Sequence, residues 1–491
     1  MNSRTHRAPD LINQTMAQLF DPVHLGSVAL DVLAAGLASP QDLTARQNTR
    51  LSRLLDAALQ GSRLYCERLR GINPASAPLH ALPVMHRDEL MQRFDDWVTD
   101  PQLKLDALRA FTADPQRIGE PYLGKYLVWE SSGTSGQPGV FVQDAQAMAV
   151  YDALEALRRS TPQPLQRWLD PLLLTERIAF VGATSGHFAS FVSMQRLRHL
   201  NPWMTQRWRS FAIQQPTAAL VGELNAFAPT VLSTYPTAAA LLAEEACHGT
   251  LRFRPREIWT GGETLSAAVR LRLEQTLGCA VRNSYGASEF LAIGWECSHG
   301  RMHVNADWVI LEPVDEQHRP VPPGQASDRI LLTNLANHVQ PLIRYELDDQ
   351  ITEQPGRCSC GSPLPVIEVQ GRRDESLLMT GRHGEAITLL PLALTTVLEE
   401  EAGVFDFQLL QRDGHTLELR LGGLQGREAA AALARCRTAL QAFAASQGLR
   451  LLRVIGEPGQ PLLRGHSGKV QRVIAQTPAG TRRARGSRAC P

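Results

Sequence analysis

Between Arg177 and Glu289 the chain repeats one pattern: a short β-prone apolar run, a loop of small or polar residues, then a segment of helical length. RIAFVG (177–182), TVLS (230–233), EIWT (257–260) and AVRN (280–283) are the strand-like runs, with helical patterns at 237–248 and 266–277. Parallel strands need crossovers long enough to hold a helix, so this alternation predicts a parallel sheet covered by helices. Open sheets of that kind bind ligands outside the C-terminal ends of their strands. Three loops therefore stand out: Ala183–Phe188, Gly261-Gly262-Glu263, and Ser284-Tyr285-Gly286-Ala287-Ser288-Glu289.

A chain of 491 residues exceeds one ordinary core, so two or three domains are expected. Residues 1–100 read as a helical lead-in, with Leu51, Leu54, Leu55, Ala58 and Leu64 near helical spacing. From about residue 300 the texture turns β-rich. Beyond residue 371 come a hairpin with an Asp413-Gly414 turn, a helix at 427–446 and the strand-like LRLLRVI, a small α+β unit. The expected division is 1–371, 372–476, and a basic, disordered tail at 477–491. A net charge of +1 argues against a nucleic-acid binder, and no apolar run is long enough to span a membrane. The start, MNSRTHRAPDLINQ, lacks the apolar core of a secretory signal, and the eight cysteines are scattered. A cytoplasmic protein with no membrane or nucleic-acid partner is expected.

Ahead of the sheet lies YLVWESSGTSGQPGVFVQD (126–144), two β-prone runs around Ser131, Ser132, Gly133, Thr134, Ser135 and Gly136. Three glycines and four hydroxyls between Ser131 and Gly139 are suited to cradling phosphate with backbone N–H groups and side-chain donors. The lysine of a Walker A loop is missing and a strand, not a helix, follows. A plain Ser/Gly hairpin turn is the competing reading.

In this order, these pieces resemble the adenylate-forming superfamily, and more narrowly the phenylacetate–CoA ligase-like family, over roughly residues 47–475. The resemblance implies an α/β fold: a large N-terminal adenylate-forming domain of helix-covered sheets plus a β-rich subdomain, with a small mobile C-terminal α+β domain. It implies an AMP-forming acid–thiol ligase that uses ATP, Mg2+ and CoA to activate a small-molecule carboxylic acid, by family an aryl acid. By that resemblance residues 131–136 grip the ATP phosphates, Gly262 and Glu263 line the adenine pocket, and Asn283, Tyr285, Gly286 and Ser288 belong to the Tyr-Gly-x-(Ser/Thr)-Glu motif. Glu289 is then the Mg2+ ligand and Asp349 the carboxylate for the ribose hydroxyls. Asp348 stands where the family usually has a basic residue, which leaves a shift of one position open. Arg372, in Gly371-Arg372-Arg373-Asp374, falls at the hinge, and Lys469, in Gly468-Lys469, is the cation between carboxylate and α-phosphate. The acceptor is left open between CoA and the phosphopantetheine thiol of a carrier protein or an amine, and so is a homodimer. A catalytically inactive nucleotide-binding relative is the alternative from another class.

A second cluster is read from residue types. Cys297 and His303 sit in ECSHGRMHV, and Cys358 and Cys360 follow some sixty residues later. Thiolates with an imidazole suit tetrahedral zinc in a structural role. His299 could stand in for His303, and two reduced, unliganded pairs are the other reading.

Overall fold

The computed structural model describes residues 20–73, 77–131, 138–161, 169–170, 173, 175–370, 376–404, 406–424, 426–449, 451–463 and 471–475. The first described helices are α1 (Pro22–Ala35) and α2 (Pro40–Gly61). Ser39 and Asp42 begin α2 with a reciprocal capping box, satisfying backbone donors that a helix start leaves open. Short helical turns lead to the hairpin of β1 (Leu127–Glu130) and β2 (Val140–Gln143), which flanks the Ser/Gly-rich segment. Helix α3 (Ala145–Arg158) follows, capped by Asp144.

The parallel region matches the alternation in the sequence. It comprises β3 (Ile178–Gly182), α4 (Ala189–Leu200), β4 (Trp208–Ala212), α5 (Thr217–Phe227), β5 (Val231–Thr234), α6 (Pro236–Cys247), β6 (Glu257–Thr260) and α7 (Ala267–Leu277), and ends on β7 (Ala280–Ala287). Strand side chains alternate between faces. Ala179, Val181, Leu232, Ile258 and Val281 pack on one side against α5, α6 and α7, through residues such as Leu224, Leu242 and Leu273. Ile178, Phe180, Ser233 and Trp259 point the other way, toward α3 and α4, where a cleft lies between the layers.

β7 is the hinge of the sheet. Its first half pairs in parallel with β6, from Ala280 opposite Glu257 to Asn283 opposite Thr260. Its second half pairs antiparallel with β8 (Phe290–Glu296), with a bulge between Tyr285 and Ala287. Here the sequence expectation needs correcting, since it ended the strand at Asn283 and put the next residues in a loop. β9 (Met302–Val304) continues the sheet. A separate three-stranded sheet follows, of β10 (Val309–Val314), β11 (Arg329–Asn334) and β12 (Tyr345–Leu347), and β13 (Gln350–Gln354) and β14 (Val366–Gln370) return to the large one. Its order is β13-β14-β9-β8-β7-β6-β5-β3-β4.

The C-terminal part holds β15 (Leu377–Thr380), β16 (Ala386–Leu389), α8 (Pro391–Glu400), β17 (Phe407–Gln411), β18 (Thr416–Leu421), α9 (Gly426–Ser446), β19 (Arg453–Ile455) and β20 (Val473–Ile474). β17 and β18 form the expected hairpin, and β19 and β20 flank it in parallel. This unit packs on the large sheet, since Leu390, Val397 and Leu409 share one apolar cluster with Val181 and Phe211. The expected tail at 477–491 lies outside the described residues.

One buried ion pair ties α3 to the β-rich half. Arg158 donates from both Nη atoms to the two Asp307 oxygens, each at 2.6 Å, and from Nη1 to Asn305 Oδ1 at 2.7 Å. The side chains are 6% and 0% exposed. Removing one partner would strand a desolvated charge, so Arg158→Met should cost about 3–5 kcal/mol in urea unfolding. Adding Asp307→Leu should recover most of that loss. A single variant within about 1 kcal/mol of the parent would show that the pair contributes little.

Candidate active site

The bulge in β7 has a steric cause. A Cβ on Gly286 would sit 2.0 Å from the Leu291 carbonyl oxygen, so glycine alone fits where β7 turns back into β8. That turn brings Tyr285 and Glu289 to the mouth of the cleft. The Tyr285 hydroxyl donates to Asp349 Oδ2 at 2.7 Å, and the Tyr345 hydroxyl donates to Glu289 Oε1 at 2.9 Å. Two carboxylates are thus oriented by two tyrosines. Asp348 is exposed, whereas Asp349 is partly buried and takes the tyrosine, so the geometry favours Asp349 over its neighbour.

The backbone around Glu289 is pinned as well. Trp129 Nε1 donates to the Ser288 carbonyl at 2.8 Å, and Asn334 Nδ2 donates to the Glu289 carbonyl at 2.9 Å. The first of these links β1, just before the Ser/Gly-rich loop, to the Tyr-Gly motif. At the loop's neck Ser131 N–H donates to the Gly139 carbonyl and Gly139 N–H to Ser131 Oγ, both at 2.9 Å. Ser132, Gly133, Thr134, Ser135 and Gly136 lie outside the described residues, as do Arg372 and Lys469.

The next two strand ends complete the floor. Gly262 has φ +75°, a left-handed conformation, and a Cβ there would meet the Tyr235 ring at 3.0 Å. The Glu263 carboxylate turns back to accept from Thr237 N–H and Oγ1, both at 3.0 Å, in the first turn of α6. Among its contacts is therefore a structural one, favoured by the positive end of that helix. The Asn283 N–H donates to Glu296 Oε2 at 2.9 Å, and Thr260 Oγ1 donates to Asn283 Oδ1 at 3.0 Å.

These residues line one cleft of about 2770 Å³ at the C-terminal edge of the parallel strands. Helix α8 also lines it, through Thr395, Thr396 and Glu399, and Arg472 pairs with Glu399 at 2.7 Å. Arg87, from the helical lead-in, lines the cleft too, and its charge favours ionised Glu289. Sequence reading missed Arg87, Tyr345, Glu399 and Arg472 as cleft residues. For Tyr345 a signal existed: it lies in the same Arg-Tyr-x-x-x-Asp run as Asp349.

The second cluster also assembles. The ligand atoms of Cys297, His303, Cys358 and Cys360 all lie within 4.8 Å of one another. Cys297 and Cys358 are 3.9 Å apart, and Cys360 Sγ lies 3.3 Å from His303 Nε2. Tetrahedral zinc with Zn–S bonds near 2.3 Å puts sulfurs about 3.8 Å apart. His303 Nδ1 lies 2.9 Å from the Leu364 carbonyl, which holds the proton there and leaves Nε2 as the ligand atom. His299 is exposed and stays outside the group.

No protein-family model matches the chain. The phenylacetate-coenzyme A ligase of Thermus thermophilus is 30% identical over 171 residues, which is 32% of this chain and 37% of that protein. Protein CapK of Staphylococcus aureus is 26% identical over 198 residues, 39% of this chain and 42% of CapK. Each match thus spans well under half the length of the relative. The whole fold is matched by 2-hydroxyisobutyryl-CoA ligase in complex with 2-HIB-AMP and CoA, at TM-score 0.55 and 20% identity, covering 90% of this chain and 91% of that one. The same ligase with R3-HIB-AMP, in its postadenylation state, gives 0.53 at 18% identity, with the same coverage. The chain therefore has the fold of 2-hydroxyisobutyryl-CoA ligase. No helix among the described residues is long and apolar enough to cross a membrane.

Burial raises the pKa of Glu289 above the ordinary carboxylate value, partly offset by hydrogen bonds and by Arg87. A carboxyl group with a raised folded-state pKa contributes most to stability below its unfolded value. That contribution is lost as pH rises through the folded value. Glu289→Gln keeps an acceptor for Tyr345 and removes the titration. Its thermal midpoint should therefore exceed that of the parent at neutral pH and converge with it in mild acid. Parallel pH profiles for the two proteins would rule out a strained carboxylate.

Proposed function

We propose that this chain uses ATP to activate a carboxylic acid as an acyl-adenylate and then passes the acyl group to the thiol of CoA. What supports this most is the cleft at the bend of β7, where Tyr285–Asp349 and Tyr345–Glu289 converge beside the neck of the Ser/Gly-rich loop. The fold match to ligases bound to acyl-AMP and CoA, and the partial identity to a phenylacetate-coenzyme A ligase, point the same way.

In the first step a carboxylate oxygen attacks the ATP α-phosphorus and pyrophosphate leaves. In the second the thiolate attacks the acyl carbon and AMP leaves. There is little covalent work here for the protein, so positioning and charge carry the rate. On this reading Asp349, held by Tyr285, accepts from the ribose hydroxyls. Gly262 and Gly286 let backbone approach the base, and residues 131–136 donate to the phosphates. Lys469 would neutralise charge between carboxylate and α-phosphate, and Arg372 would approach the nucleotide. Glu289 supplies a hard carboxylate oxygen of the kind Mg2+ takes, and that ion offsets phosphate charge when bound. Residues 372–476 would act as the mobile part that brings Lys469 in and out.

Carboxylate-dependent ATP–pyrophosphate exchange tests this. Lys469→Ala and Glu289→Ala should each lower it by about 100- to 1000-fold, the usual effect of losing one charge-stabilising group. Adding CoA or a carrier protein to an exchanging mixture then identifies the acceptor. Nucleotide binding without exchange for any acid would leave the inactive-relative reading standing.

The same proposal gives Cys297, His303, Cys358 and Cys360 a structural zinc that ties the turns after β8 and β13 to β9. Purified protein should contain stoichiometric zinc by mass spectrometry. Cys358→Ser with Cys360→Ser should lose the metal and lower the thermal midpoint by several degrees, as for a loss of about 1–2 kcal/mol. Metal-free native protein with all four side chains freely alkylated or modified would refute the site.

A further inference from the structure

Resting on the adenylation reading above, we propose that Arg344 is the positioning residue for Glu289. Its left-handed backbone and buried guanidinium fix both Tyr345, which donates to that carboxylate, and the segment that brings Arg87 to the cleft.

The backbone comes first. Among the described residues five other than glycine have a left-handed backbone, and Arg344, at φ +50°, is the one that is buried. A Cβ is crowded in that conformation, so it persists only where the surroundings over-determine it. Here they do. The Arg344 N–H donates to Thr333 Oγ1 at 3.0 Å, and the Arg344 carbonyl accepts from Met85 N–H at 3.0 Å. The Met85 carbonyl then accepts from Glu346 N–H, also at 3.0 Å. Tyr345 is thus held between Met85 and Leu332, its register partner on β11. Strand side chains alternate between faces, so the bend at Arg344 sets the side on which β12 starts. That side directs the Tyr345 hydroxyl to Glu289 Oε1, at 2.9 Å.

The side chain fixes the second neighbour. Arg344 Nε donates to both Glu312 oxygens, at 3.2 and 3.0 Å. Its Nη1 donates to the carbonyls of His80, at 2.9 Å, and of Leu82. A planar, permanently charged fork therefore joins β10 to the helical lead-in, a few residues before Arg87. Arg87 opens the helical turn Arg87–Gln92 and lines the cleft, and its charge reaches Glu289. Arg344 does not line the cleft, so it acts through these two neighbours. Pairing with Glu312 alone explains a buried guanidinium. It does not explain a strained backbone directly before the residue that orients a site carboxylate.

The test is Mn2+ affinity, titrated by electron paramagnetic resonance with α,β-methylene-ATP present, alongside ATP–pyrophosphate exchange by the parent. Partners that orient a ligating group are worth about ten- to a hundredfold in metal affinity, so Tyr345→Phe and Arg344→Ala should each weaken Mn2+ by that factor. Arg344→Gly removes the guanidinium but permits the bend, and should recover part of the loss. Because both residues act on one carboxylate, Tyr345→Phe combined with Arg344→Ala should be little worse than either alone. Arg158→Met, destabilised through a buried pair elsewhere, should bind Mn2+ as the parent does. Thermal unfolding checks each variant, and the glycine variant carries the comparison if the alanine one does not fold. A folded Arg344 variant with parental Mn2+ affinity, or losses that add in full, overturns the inference while exchange by the parent keeps adenylation standing. A parent that exchanges yet binds no Mn2+ with the analogue overturns it too. If the parent exchanges no acid, the adenylation reading fails and takes this one with it.

Discussion

The bend in β7 is the constraint on which the site depends. One strand must pair in parallel with β6 up to Asn283 and antiparallel with β8 from Ser284 on, and the bulge in that second half falls at Gly286. Any side chain there would collide with the Leu291 carbonyl, so the turn exists only because the residue has none. Tyr285 precedes that glycine and Glu289 follows it by three positions. A relaxed, regular strand would spread them along the sheet, away from Asp349 and Tyr345. Trp129, Asn334 and Thr260 hold the surrounding backbone and side chains in the bent arrangement.

Much of this was legible from the residues alone. The strands at 178, 231, 257 and 280 begin within a residue or so of their apolar runs, because small and polar residues bound each one. The reading failed at Ser284, where Ser-Tyr-Gly looks like a turn and only pairing with β8 keeps the chain extended. Local preference was overridden by a partner strand, the usual fate of weak strand signals. Tyr285 and Glu289 were singled out from one compact run and Asp349 from another, Arg-Tyr-x-x-x-Asp, and the fold brings all three to one cleft. Arg87 could not, since it reaches the cleft from the helical lead-in, and no local pattern encodes that meeting. The choice of His303 over His299 likewise follows from a position on β9 and a ring bonded to Leu364, both tertiary facts.

The C-terminal unit meets the large sheet in two different ways. Beneath the cleft it shares an apolar cluster with β3 and β4, a contact that resists water. At the rim its contacts are polar: Ser185 hydrogen-bonds the Glu400 carboxylate, and Gln447 donates to the Gln214 carbonyl. Polar rim contacts can be exchanged for water at small net cost, whereas the apolar ones cannot.

The two tyrosine–carboxylate pairs join residues 64 and 56 positions apart in sequence. Neither can form until the three-stranded sheet and the bend of β7 are both in place, so the loop-closure entropy of a long stretch must be met first. A ligand that needs both pairs binds only chains that have finished folding. It therefore acts on the whole molecule rather than on one loop, drawing the population toward completion by mass action. The cleft is in this sense a checkpoint of assembly, closed to any chain in which the β-rich half has yet to dock.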